Sequence, residues 1–143
     1  MTTERPRLQL NRGLVVIRYK QAYIDWVSIA GELPLALSLA HANEDGESFL
    51  LPTYESQTDP VDSAEDAIKW VEKRWRMFFE HILGSWILNE AEWPKKRTLK
   101  MVREWFAIEY KSIVWDMGTE PLIVEEWDDE DDGADFDDYP LLH

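Results

Sequence analysis

Cysteine is absent from the 143 residues, and with it go disulfide frameworks, thiolate metal sites and cysteine nucleophiles. Long apolar runs are absent too. No stretch approaches the ~18–20 uninterrupted apolar residues of a membrane span, and Met1 to Arg7 lead into no apolar signal segment. Glycine is sparse, and its six scattered residues form no GxGxxG, Walker or GxSxG pattern. Of the three histidines, His41, His81 and His143, none has another four residues away, which excludes a helical two-His metal site. Basic side chains are in the minority. Fifteen Lys and Arg oppose 29 Asp and Glu, a formal net charge of −14, which disfavours direct binding to a nucleic-acid backbone. The expectation is a soluble, cytoplasmic protein with one ordinary domain, its eight Trp and 45% hydrophobic content sufficient for a real core.

The charge is unevenly distributed. Residues 1–120 carry 19 acids and 15 bases, whereas residues 121–143 carry ten acids and no base. Composition therefore predicts a compact body, 1–120, and an acidic tail, 121–143. Five consecutive acids, Asp128 to Asp132, repel one another and bury nothing, so the tail is expected to be disordered when free.

Within the body, Leu14 to Tyr19 is β-branched and aromatic and reads as a buried strand. Tyr23, Trp26, Val27 and Ala30 then recur at helical spacing up to a stop at Gly31. Leu33 to Asn43 favours a short helix opened by Pro34, and Ser48 to Leu51 a second strand ended by Pro52. Asp62 or Ser63 can cap one long helix running to about Leu83, with Ala67, Ile68, Val71, Trp75, Phe78, Phe79 and Ile82 on its apolar stripe. A further helix is predicted over 95–106 and a third strand over 109–117. This order implies an α+β two-layer sandwich, a small three- to four-stranded sheet with helices on one face. The first crossover is long enough to make the first two strands parallel.

No catalytic constellation stands out, and neither a metal nor a cofactor is called for. Acidic pairs such as Asp62/Asp66 read as capping residues; an enzyme using carboxylates and a metal ion is the alternative function. More informative is a basic cluster, Lys95, Lys96, Arg97, Lys100 and Arg103. Lys96, Lys100 and Arg103 would share one helix face, either a solvated surface complementing Glu92 and Glu104 or one able to meet a phosphate backbone, an acidic partner or the chain's own tail. Trp26, Trp75 and Trp105 fall on core stripes, while Trp70, Trp86 and Trp93 are candidates for an exposed aromatic patch.

The tail interleaves its acids with Trp127, Phe136, Tyr139, Leu141 and Leu142. Acids flanking apolar anchors suit a segment that stays soluble when free and docks into a basic-rimmed groove of a protein partner. Asp135-Phe136-Asp137-Asp138-Tyr139-Pro140-Leu141 resembles the acidic tip of bacterial single-stranded-DNA-binding proteins, although here the chain continues to Leu142-His143. The resemblance implies a basic pocket on a partner. The body resembles a family of short bacterial cytoplasmic proteins of unassigned function, through Asn11 to Arg18, Asp25-Trp26, Trp93 to Thr98 and Glu104-Trp105-Phe106. That similarity implies a bacterial setting and no activity. The expected function is a non-catalytic protein-interaction module, for instance an inhibitor or immunity-type protein whose acids occupy a basic cleft.

Overall fold

The computed structural model describes residues 5–33 and 37–127. The acidic block and the anchors Phe136, Tyr139 and Leu141 lie outside the described residues. Packing of the backbone divides the chain into two units, Gln9–Val114 and the two ends, Met1–Leu8 with Trp115–His143.

The central unit is α+β. Strand β2 (Gly13–Tyr19) lies between β3 (Ser48–Leu51) and β4 (Phe106–Lys111), giving the sheet order β3-β2-β4. Side chains alternate along β2. Gly13, Val15, Ile17 and Tyr19 are buried toward the helices; Leu14, Val16 and Arg18 are half-buried on the other face. Five helices accompany the sheet: α1 (Gln21–Ala30), α2 (Leu39–Ala42), α3 (Ala64–Lys73), α4 (Trp75–Trp86) and α5 (Leu99–Trp105). Pro34 lies outside the described residues, and α2 is opened instead by Ser38, whose hydroxyl accepts from the His41 amide at 3.0 Å.

Both neighbours of β2 run antiparallel to it, with Leu14 opposite Leu50 on one side and Ile17 opposite Ile108 on the other. The expected parallel pairing of the first two strands is thus corrected: a connection of this length permits parallel pairing but does not impose it. Where β3 runs out, Asn43 takes its place. Its Oδ1 accepts from the Tyr19 amide at 2.9 Å and its Nδ2 donates to the Tyr19 carbonyl at 3.1 Å, so one side chain imitates a strand neighbour.

The long helix predicted over 62–83 is two helices. Ser63 caps α3 by accepting from the Asp66 amide at 3.1 Å, while Asp66 Oδ2 accepts from the Asp62 amide at 3.0 Å, as expected of capping residues. The helix breaks at Arg74 (φ −115°, ψ 27°). There the guanidinium lies 3.6 Å over the Trp70 ring and donates to Asp59 at 2.8 Å, while Lys73 donates to the same carboxylate at 3.0 Å. Asp59 itself sits at φ +49°, a conformation Asp tolerates better than most residues. The last strand is also relocated: α5 stops at Trp105, and β4 begins at once with Phe106.

Aromatic rings fill the centre. Tyr23, fully buried, has Tyr19, Trp26, Trp86, Trp105 and Phe106 around it at centroid distances of 5.0–5.9 Å. Trp26 and Trp105 stack at 5.2 Å and 29°. In the terminal unit, Leu8 and Trp115–Asp116 are extended and belong to the short strands β1 (Leu8–Gln9) and β5 (Trp115–Asp116).

Candidate functional site

The basic cluster is assembled differently from the helical face that its spacing suggests. Thr98 is extended (φ −140°) and caps α5 by accepting from the Met101 amide at 3.2 Å, so the helix starts at Leu99. Lys95 and Lys96 lie in the bend before it and are exposed. Lys96 therefore shares no helix face with Lys100 and Arg103; the Thr98 cap sets the helix start beyond it.

Three of the five cations already face acids of the body. Arg97 donates to the Pro94 carbonyl at 2.9 Å and to Glu80 Oε1 at 3.1 Å. Arg103 grips Glu72 through Nε and Nη2 at 2.9 and 2.8 Å, the bidentate geometry that suits guanidinium and carboxylate. The Arg103 hydrogen bonds hold the Glu72 carboxyl below its ordinary range against the opposing effect of burial, and Glu72 in turn raises Arg103. Lys100 lies 3.9 Å from Glu104, an exposed pair of little energetic weight. Only Lys95 and Lys96 have no ion pair among the described residues of this cluster. Glu72 and Glu80 belong to α3 and α4, far away in the chain, and no local spacing reveals them.

The tryptophans offered as an exposed patch are not one. Trp70, Trp86 and Trp93 are half-buried against the core. Trp86 donates to the Tyr19 hydroxyl at 3.1 Å, and Trp93 donates to the Ile87 carbonyl at 2.8 Å. Trp26, Trp75 and Trp105 pack against the core as their stripes predict.

Beside the Glu72–Arg103 pair a groove of about 140 Å³ opens, with Ile68, Val102, Phe106 and Ile108 as its apolar walls. It lies where α3, α5 and β4 meet, at one edge of the sheet.

In the terminal unit, apolar side chains face outward. Leu122, Ile123, Val124 and Trp127 are exposed, Trp127 to 84%, and Glu125 and Glu126 stand among them. Of the tail residues predicted to engage a partner, Trp127 is the one described, and its side chain is exposed. Asp135, Phe136, Asp137, Asp138, Tyr139 and Leu141 lie outside the described residues.

Among the described residues no group of three or more His, Asp or Glu is gathered that could hold a metal ion, and no helix is long and apolar enough to cross a membrane. No family model, no curated protein and no solved structure matches the chain.

Proposed function

We propose that this chain is a non-catalytic interaction protein whose C-terminal segment, from Leu122 onward, docks on a basic, apolar-floored groove of a protein partner. The observation that carries this reading is the exposure of Leu122, Ile123, Val124 and Trp127 beside Glu125 and Glu126, immediately before five consecutive acids. An exposed apolar run is a recurrent mark of an interaction site, and the adjacent charge supplies steering toward a cationic surface. The pairing of Arg97, Arg103 and Lys100 with Glu80, Glu72 and Glu104 favours a partner outside the body over the body's own basic cluster. An inhibitor of a protein with a basic cleft, working in a bacterial cytoplasm, is the concrete form of this proposal.

The test is affinity capture from source cells with the full chain, at low and high salt, against Trp127→Ser and against a chain with Asp128–Asp132 changed to Asn and Gln. A specific partner should be lost in both variants and weakened by salt. Equal capture by all three chains would refute the proposal.

A further inference from the structure

The groove beside the Glu72–Arg103 pair has four apolar walls and two charged ones, and uses none of residues 121–143. Ile68 and Glu72 lie four residues apart on α3 and so share a helix face. Phe106 and Ile108 alternate with Ala107 on β4, so both point to the helix side of the sheet, opposite Tyr19 and Ile17. Val102 and Arg103 come from α5. Val102 and Phe106 are buried, whereas Ile68 is 38% exposed, so the groove is reached from solvent past Ile68.

Its volume, about 140 Å³, is close to that of a cavity of roughly 150 Å³ that accepts benzene, so one branched aliphatic side chain fits. The charged walls are not saturated. A guanidinium carries five N–H donors, and a carboxylate offers about four acceptor positions. Arg103 spends one donor of Nε and one of Nη2 on Glu72, each on a different carboxylate oxygen. Among the described residues the guanidinium makes no other hydrogen bond, which leaves the Nη1 edge open, and the Glu72 carboxylate accepts no other. A donor edge and an acceptor of opposite charge therefore stand side by side next to an apolar cavity.

We propose that this groove binds a free aliphatic α-amino acid of about leucine's size. The side chain lies between Ile68, Val102, Phe106 and Ile108, the carboxylate on the open edge of Arg103, and the ammonium on Glu72. Charge complementarity selects this ligand. The Glu72–Arg103 pair is neutral as a whole, so a simple anion is repelled by Glu72 and a simple cation by Arg103. A zwitterion presents each charge to its opposite, and both charges flank the carbon that bears the side chain. The terminus of a partner polypeptide brings only one of the two charges, because its other backbone group is an amide.

The probe is L-leucine, titrated through the millimolar range into isotopically labelled full-length protein and followed by methyl and amide NMR. The Ile68, Val102 and Ile108 methyl signals and the Arg103 side-chain N–H signal should shift together and saturate. Glycine, which lacks the side chain, should bind at least about tenfold more weakly. 4-Methylpentanoate, without the ammonium, and 3-methylbutylamine, without the carboxylate, should each bind about three- to tenfold more weakly. Ile68→Phe narrows the groove at a partly exposed position and should abolish binding, while Trp127→Ser should leave it unchanged. The spectrum of Ile68→Phe reports its own fold, and the ligand series decides the question without any variant. Absence of saturable shifts, glycine binding as well as leucine, either singly charged analogue or N-acetyl-leucine binding as well as leucine, or binding lost in Trp127→Ser would each overturn the proposal.

Discussion

Asn43 replaces a strand with a single amide, and that substitution of roles can be tested in a way that separates donor from acceptor. Its side chain serves both backbone groups of Tyr19, at 2.9 and 3.1 Å, in a part-buried position beside a residue that is itself buried. In Asn43→Ala both groups lose their partner. An unsatisfied buried backbone group costs about 1–3 kcal/mol, and partial access for water reduces this toward the lower end, so the pair should cost about 2–4 kcal/mol. For a domain of this size that corresponds to a fall in Tm of about 6–15 °C.

Asn43→Asp divides the effect. An ionised carboxylate still accepts from the Tyr19 amide but faces the Tyr19 carbonyl with lone pairs on both sides. Protonated, it can donate to that carbonyl and restores the pattern of the amide. The folded state thus favours the protonated acid and raises its pKa above the unfolded value of about 3.9. The stabilising contribution of that proton is complete below the unfolded pKa and is lost as pH rises through the folded one. Urea titrations followed by tryptophan emission at pH 7 and pH 4, each variant compared with the parent at the same pH, provide the measurement. The Asp variant should resemble Ala at pH 7 and approach the parent at pH 4. An Asp variant with a pH-independent deficit, or an Ala variant within 0.5 kcal/mol of the parent (about the scatter of neutral surface changes), would refute the strand-substitute role.

Other expectations follow from single contacts. Asp59→Asn keeps a residue that tolerates positive φ while removing the charge that Lys73 and Arg74 bind. Their hydrogen bonds hold the Asp59 carboxyl below its ordinary value, so its contribution is present above about pH 3.9 and lost as pH falls through the folded pKa. Denaturant midpoints of parent and variant should differ at pH 7 and draw together as pH falls below the unfolded pKa of about 3.9. The Tyr23 hydroxyl is buried with no hydrogen-bond partner among the described residues, so Tyr23→Phe should stabilise the fold by about 1 kcal/mol in thermal melts; a loss would show that the hydroxyl is bonded, for example to an internal water. A Cβ at Gly31 would come 2.8 Å from the Val27 carbonyl oxygen, which belongs to the helix backbone and cannot swing aside, so Gly31→Ala should cost about 1–3 kcal/mol.

Elements set by local pattern were legible in the sequence: β2 by its β-branched run, α1 by its spacing and Gly31, β3 by Pro52, the start of α3 by Ser63 and Asp66. Elements set by distant partners were not. The apolar stripe from Ala67 through Ile82 passes Arg74 without interruption, and the break there reflects the pull of Asp59, which lies in a loop and reaches the helix only in the folded chain. Phe106 satisfies a helical stripe and a strand equally well; pairing with Tyr19 decides for the strand. For the basic cluster, sequence supplied the cations but not Glu72 and Glu80, and without those acids three paired side chains read as an open positive face. The β4 groove left no trace in the sequence, since its walls come from three elements whose juxtaposition is tertiary.

The stacking of Trp26 on Trp105 has an optical consequence. The two indoles belong to α1 and α5, near opposite ends of the central unit's sequence, and they overlap at 5.2 Å with nearly parallel planes. Electronic transitions of chromophores held that closely couple, so the pair should give a split circular-dichroism band that neither helix produces alone. Secondary structure forming before α1 and α5 meet would leave that band silent while the amide signal grows. The chain thereby carries a built-in timer for the closing of its core, readable without any label.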